Sequence, residues 1–513
     1  MTKKRKEQTT NPLSNARNAN GLFESLWHKK TGKGYLLFVE YYGQQGWGVV
    51  VQDQQHGFRP LAKTPPAAVT QSSSTQGMSR AAKRRRKKKG VIGSEGHSDT
   101  KVPKTITGEQ TSASEPTSSS VTSGPLQEAL DSHAHEYSFL QPLVATLSKP
   151  LPVSFRLRSL QHYPEADKYR NEQLLLVNRL VQDFGHLVQP VPYHDTIYQT
   201  LNLDKSSLNT EAPELKELLL EASSRGILAR QEVGSMLPVL GLETIILEQY
   251  REKKCRILDL CASPGSKTLQ ALELLNNKSV VVANDVHPKR LEALHDALQR
   301  SGVPTTDRVI LKQHDASVYP MPKQQPHIVI ADVPCSGDGT IRKDPSILKT
   351  WDPVTARTLH ALQCRILHRA LQLVRVGGVV SYSTCSLNPI ENEAVVQAAL
   401  SKYGAAVQLE DWPNAMKGLI LRPGVSTWKV FDYCMTEEDE IEWKDYWSEL
   451  EAKKGTMREC HPTLWPDTSC SHVLHRCRRL WPQDQNSGGF FVALLRKTAE
   501  LEQKAVIDSV SVK

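Results

Sequence analysis

Two cysteines stand in settings where a thiol can do chemistry: Cys335 within Asp332-Val333-Pro334-Cys335-Ser336-Gly337, and Cys385 within Ser383-Thr384-Cys385-Ser386. Each follows a short, β-branched run of strand length, His327 to Ala331 and Gly378 to Tyr382. An ionised thiol is a covalent nucleophile, and a carboxyl group such as Asp332 beside it can stabilise charge that develops on whatever the thiol attacks. A single free cysteine is most often a small buried filler. Two delivered to one mouth by neighbouring strands are harder to explain that way. Asn388, Pro389 and Glu391 also spell a helix start just after Cys385, with Asn388 as N-cap, Pro389 at the first helical position and Glu391 folding back. The positive end of that helix would favour a thiolate.

A second constellation is Cys261-Ala262-Ser263-Pro264-Gly265-Ser266-Lys267, between the run Arg256 to Leu260 and a helical stretch, Lys267 to Asn276. Gly265 lets backbone approach a ligand, and the helix that follows opens with free N–H groups. Gly265-Ser266-Lys267-Thr268 suggests a phosphate loop, but that motif needs its first glycine where Leu260 stands. Asp285 ends the next run, 20 residues after Gly265, where a carboxylate accepts hydrogen bonds from ribose hydroxyls. Asp315 and Asp332 follow the third and fourth runs. Any one of these aspartates is as readily a turn or helix cap. Together, around one crevice, they point to a nucleoside cofactor.

The scaffold that must position these groups is legible as alternation. Runs at Arg256 to Leu260, Ser279 to Ala283, Arg308 to Leu311, His327 to Ala331 and Gly378 to Tyr382 are separated by helical stretches including Pro288 to Arg300 and Val354 to Val374. This predicts an α/β fold, a doubly wound and mainly parallel Rossmann-like sheet with ligands beyond the carboxyl ends of its strands. Upstream, Val153 to Leu157 alternates like a half-buried strand, which would put Arg156 and Arg158 on a wet face as candidate phosphate contacts.

From about Ala62 to Gly124 the chain turns to Ser, Thr, Pro and Gln, a composition that predicts a disordered linker. Within it Arg80 to Gly90 carries eight basic residues in eleven. That run reads as a nuclear import signal or an RNA-contacting arm, against the plainer reading of a solvated tail. The expected location is therefore the nucleus, nucleolus included, with the cytoplasm as the alternative. The division that follows is a partly structured segment at 1–61, the linker at 62–124, an α+β module at 125–240, a catalytic domain at 241–498 with an insertion near 408–485, and a tail at 499–513.

Lys and Arg outnumber Asp and Glu by 64 to 55, a net charge of +9 that suits a polyanionic partner. The nine cysteines show neither a disulfide framework nor a CxxC pair, so no metal site is expected and reduced thiols are. Met1 to Lys6 leads into no apolar stretch and no later run is long enough to span a bilayer, so neither a secretory signal nor a membrane segment is expected.

In order and wording these motifs resemble the Nop/Sun family of S-adenosylmethionine-dependent RNA cytosine-5 methyltransferases, over roughly Leu147 to Lys497. The resemblance implies that Cys385 is the nucleophile, Cys335 the residue needed for product release, and Asp332 the acid near the base. It implies S-adenosylmethionine contacts from Cys261, Ala262, Ser263, Pro264, Gly265, Ser266, Lys267, Asp285, Asp315 and Asp332. It also makes the module before the catalytic domain RNA-recognition-like. Arg230-Gln231-Glu232, Asp332 to Lys343, Trp428-Lys429-Val430 and the Gly488 to Ala493 string look like the multisite tRNA branch, as does the opening segment Leu36 to Gly43. The expected partner is RNA, tRNA first. A ribosomal RNA methyltransferase and a catalytically silent RNA-binding scaffold are the competing readings.

Overall fold

The computed structural model describes residues 34–45, 124–132, 137–159, 166–301, 303, 305–413, 416–435, 441–455, 457 and 460–501. The linker with its basic run, and the tail beyond 501, lie outside the described residues. So does most of the 1–61 segment.

The part of that segment that is described is a helix, α1 (Gly34–Gln45). Its sequence is apolar or aromatic almost all round, which suits a helix enclosed by neighbours. Phe38, Tyr41 and Tyr42 pack with Trp351, Phe431 and Trp481, and with the helices α2 (Pro125–Asp131) and α3 (Gln141–Leu147). Gly34 allows the closest approach, because a β-carbon there would lie 2.4 Å from the Leu348 carbonyl oxygen.

The next module runs β1 (Ser154–Leu157), α4 (Ala166–Phe184), β2 (Val188–Val191), β3 (His194–Thr200), α5 (Pro213–Ser224), β4 (Leu228–Arg230). Its strands form an antiparallel sheet in the order β2-β3-β1-β4, the βαββαβ arrangement of ferredoxin-like modules. Phe155 and Leu157 join the apolar layer under its helices, and Phe155 stacks on Tyr198 with 5.5 Å between ring centroids.

Here the expectation of a wet strand face fails. All of β1 is buried, and Arg156 and Arg158 both pair with Glu273 of the neighbouring domain. Arg156 Nε also donates to Gln231 Oε1 at 3.0 Å. The alternation was real, but its polar face meets protein rather than water, because one buried carboxylate neutralises two guanidiniums. Neither arginine is therefore a phosphate contact. The arginines hold Glu273 below the usual carboxylate range even though burial pushes the other way. Its contribution to stability is complete above the unfolded carboxylate pKa of about 4.3 and is lost as pH falls through the lower folded value. Glu273→Gln should cost about 3–5 kcal/mol at neutral pH by stranding two buried cations, read as a fall in the urea midpoint at unchanged slope. A midpoint within error of the unaltered chain would contradict this.

The helix α6 (Val233–Tyr250) leads into the main sheet. Its elements are β5 (Arg256–Asp259), α7 (Ser266–Leu274), β6 (Val280–Asn284), α8 (Pro288–Arg300), β7 (Val309–Lys312), β8 (Ile328–Asp332), α9 (Pro353–Leu373), β9 (Val379–Thr384) and α10 (Glu393–Tyr403). Strands β5 to β9 are parallel, in the order β7-β6-β5-β8-β9. They are Val- and Ile-rich because apolar layers cover both faces of the sheet. Beyond β9 the sheet continues antiparallel. β10 (Val407–Leu409) and β14 (Arg478–Leu480) both pair with β15 (Phe490–Lys497), β15 pairs with β9, and β11 (Arg422–Pro423) pairs with β14. β12 (Val430–Met435) and β13 (Ile441–Tyr446) form a separate hairpin. The chain reverses its direction of travel across the sheet between β5 and β8, so a crevice opens beyond their carboxyl ends.

Candidate active site

A cleft lies in that crevice, lined by Leu260, Cys261, Asp285, Val286, Asp315 and Pro334 among others. Asp285 directly follows β6, accepting hydrogen bonds from the His287 amide at 3.1 Å and Arg290 Nε at 3.1 Å. Asp315 caps a short 3-10 turn, accepting from the Ser317 amide at 2.8 Å, so capping and lining are the same residue's work. His287 also lines the cleft, and its Nδ1 is buried without a partner among the described residues. Two strand-end carboxylates, an unpartnered ring nitrogen and apolar walls fit the nucleoside portion of S-adenosylmethionine.

Within the 261–267 run only Cys261 lines the cleft. Burial and the charges of Asp259, Asp285 and Asp332 push its thiol well up, so it stays protonated. Ala262 is buried, Pro264 is exposed, and Ser263 Oγ donates to the Arg290 carbonyl at 2.7 Å. Gly265 takes φ +105°, which turns the chain into α7 at Ser266. Lys267 points elsewhere: its ammonium pairs with Asp332 at 2.7 Å and donates to Ser235 Oγ at 3.0 Å. Burial alone would lower the Lys267 pKa, but Asp332, Asp259 and Cys385 more than offset it, so the ammonium persists. Asp332 also accepts from Ser383 Oγ at 2.7 Å.

The register Asp332↔Ser383 sets β8 and β9 side by side, so the loops after them emerge together. Cys335 and Cys385 meet with 3.3 Å between sulfurs. The hydrogen bond to Cys385, and then burial, hold the Cys335 thiol well above its ordinary range, making it the partner that keeps its proton. The loops are tied by the Gly339 amide donating to the Cys385 carbonyl at 2.9 Å. Gly339 must be glycine, because a β-carbon would lie 2.4 Å from the Gly489 oxygen and 2.7 Å from that of Cys385.

The predicted helix start after Cys385 is not found. α10 begins only at Glu393. Asn388 Oδ1 does accept from the Ile390 amide at 3.0 Å, but as a local turn. No helix N-terminus adjoins the thiol, and the neighbouring positive charge comes from Lys267 instead.

Several residues of the site were not anticipated. Asp338 is buried, accepting from the Leu387 amide at 2.7 Å, from Tyr42 Oη of α1 at 2.5 Å and from Trp351 Nε1 at 3.2 Å. Tyr41 Oη donates to Asn388 Oδ1 at 3.1 Å. Helix α1 thus braces both cysteine loops from behind. Glu391, read as a capping residue, lies between the loops. The one signal in the sequence was that each cysteine is followed by serine.

Residues 244–496 match the family model described as 16S rRNA methyltransferase RsmB/F. This domain belongs to the RsmB/F, or Nop/Sun, family. Among curated relatives, the multisite-specific tRNA:(cytosine-C(5))-methyltransferase of Schizosaccharomyces pombe is 35% identical over 407 residues, covering 70% of this chain and 56% of that one. The enzyme of the same description from Saccharomyces cerevisiae is 32% identical over 383 residues, covering 70% and 53%. The ribosomal RNA small subunit methyltransferase F of Shewanella amazonensis is 30% identical over 356 residues, covering 69% and 59%. The chain thus spans somewhat over half the length of the relatives it matches. Among the described residues, no group of three or more His, Cys, Asp or Glu could hold a metal ion, and no helix is long and apolar enough to cross a membrane.

Proposed function

We propose that the chain is an S-adenosylmethionine-dependent RNA methyltransferase acting at C5 of cytidine in tRNA. The observation that carries this reading is the thiol pair at 3.3 Å, beside the Lys267–Asp332 ion pair and next to the cleft that Asp285 and Asp315 line. When bound, S-adenosylmethionine supplies an electrophilic methyl group. Cytosine C5 is too electron-poor to take it unaided. Cys385 Sγ adds to C6, and the electron pair displaced from the C5–C6 bond makes C5 nucleophilic. The negative charge that develops toward N3 is stabilised by the Lys267 ammonium, which its ion pair with the Asp332 carboxylate holds at the site. After methylation a solvent base takes the C5 proton, the C–H electron pair re-forms the C5–C6 double bond, and the C6–sulfur bond breaks with its pair on Cys385 Sγ. Cys335, still protonated, donates a hydrogen bond to the departing sulfur.

Asp285, Asp315 and Cys261 would hold the cofactor. The tRNA preference rests on relatives described as tRNA enzymes at 32–35% identity. The test is labelled methyl transfer to unmodified tRNA and to ribosomal RNA, with site mapping. Incorporation at cytidine C5 of tRNA supports the proposal, whereas incorporation into ribosomal RNA alone moves the substrate. Cofactor and RNA binding without transfer to either would favour a silent scaffold. We further propose that the basic run at Arg80 to Lys89 directs the chain to the nucleus. Deleting it should redistribute a fluorescent fusion to the cytoplasm, and unchanged nuclear imaging would sink the idea.

A further inference from the structure

We propose that Glu391 is a positioning residue that fixes the separation of the two thiols by accepting hydrogen bonds from the serine that follows each of them. Its Oε2 accepts from Ser336 Oγ at 2.5 Å and from Ser386 Oγ at 2.6 Å. Its Oε1 accepts from the Ser336 amide at 2.8 Å and from Gln363 Nε2 of α9 at 3.0 Å. Ser336 and Ser386 directly follow Cys335 and Cys385, and their hydroxyls lie 3.1 Å apart. One fully buried carboxylate therefore grips both loops at the residue next to each sulfur, and α9 anchors it from below.

Burial, and then the charge of Asp338, push the Glu391 carboxyl up, while the hydrogen bonds from Ser336 and Ser386 pull it down. A carboxylate buried at such a cost to the charged form needs its donors, and here all four arrive from the structures that must stay in register. Glu391 touches neither sulfur by any hydrogen bond described, so it acts through the serines. The consequence for catalysis rests on the thiol chemistry proposed above. The geometric role does not, and it can be read separately.

The experiment is oxidation of the full chain by diamide, with the product mapped by peptide mass. As the Cys335–Cys385 sulfur–sulfur bond forms, the two thiol hydrogens pass to the N=N bond of diamide. Closure requires the sulfurs to stay close, so its rate reports their separation without RNA or cofactor. Glu391→Gln, whose amide nitrogen must replace one of the two carboxylate oxygens and so turn a donor toward two of the four donors, should slow closure by about tenfold or more, since small misplacements of reacting atoms have effects of that size. Ser386→Ala removes one arm and leaves the carboxylate, so it should slow closure too, and it tests the same contact if the Gln variant does not fold. In a parallel transfer assay both variants should lose kcat with little change in KM for RNA.

Closure rates in both variants within about twofold of the unaltered chain, well short of the effects that misplacement produces, would overturn the proposal whatever the transfer assay shows. Slowed closure in a chain that transfers no methyl group even when unaltered would uphold the clamp and remove the function instead.

Discussion

Cys385→Ala should abolish methyl transfer, by at least about a thousand-fold, while tRNA binding and cofactor binding stay within about threefold of the unaltered chain. The size of the effect follows from what is removed. Without the C6 adduct, C5 has no route to nucleophilicity, and no hydrogen bond or charge elsewhere in the site replaces a covalent bond. Selectivity follows from geometry. Cys385 stands at the mouth beyond β9, whereas the cleft is lined by residues beyond β5 to β8. Folding should be little affected, since the sulfur is only partly buried and its one polar partner described is Cys335. Parallel measurement of single-turnover transfer and of tRNA affinity by filter binding checks this. A variant that retains transfer above one-tenth of the original rate, a loss far below what removal of a nucleophile produces, would show that another group is the nucleophile.

Cys335→Ala should give the second large effect, and it differs in kind. The addition can proceed, because Cys385, Lys267 and Asp332 are untouched. Release cannot proceed normally, because the thiol that hydrogen-bonds the departing sulfur is gone. Multiple turnover should fall by about a hundred-fold or more, the scale for loss of a positioned proton donor, while a covalent RNA–protein species accumulates and survives denaturing electrophoresis. The same variant carrying Cys385→Ala as well should show no such species. If Cys335→Ala is inactive and no adduct forms, its role lies before or during addition, and the release assignment is wrong.

What the sequence disclosed and what it hid divide along physical lines. The parallel strands were readable because a strand buried on both faces needs a continuous apolar, mostly β-branched run, and β6 and β8 carry such runs. The helix α8 was readable to the residue, from Pro288 to Arg300, because proline marks its first turn. The thiol pair was anticipated as neighbours because adjacent parallel strands deliver their carboxyl-end loops side by side.

Arg156 and Arg158 were misjudged because charge patterning records polarity but not its partner. Glu273, which neutralises both, is more than a hundred residues away in sequence, separated from Arg156 by 117. Asn388, Pro389 and Glu391 carry local helix-start preferences, and tertiary contacts overrode them. Glu391 is drawn to two serines and a glutamine that propensity cannot see. Helix α1 was visible as an apolar, aromatic segment, yet nothing local shows that Tyr41 and Tyr42 reach residues 347 and 296 positions away. Long-range polar pairing is the class of information that periodicity lacks, and it shaped the surroundings of the site more than its chemistry.

The central claim is that Cys385 carries the covalent bond to cytosine. It is tested most directly by digesting the RNA adduct of the Cys335→Ala variant with nuclease and protease and sequencing the modified peptide by mass spectrometry. A methylated cytidine nucleotide is expected on the peptide that contains Thr384-Cys385-Ser386, and on no other. A nucleotide found on a different cysteine, or an adduct that survives in the doubly substituted chain, would contradict it.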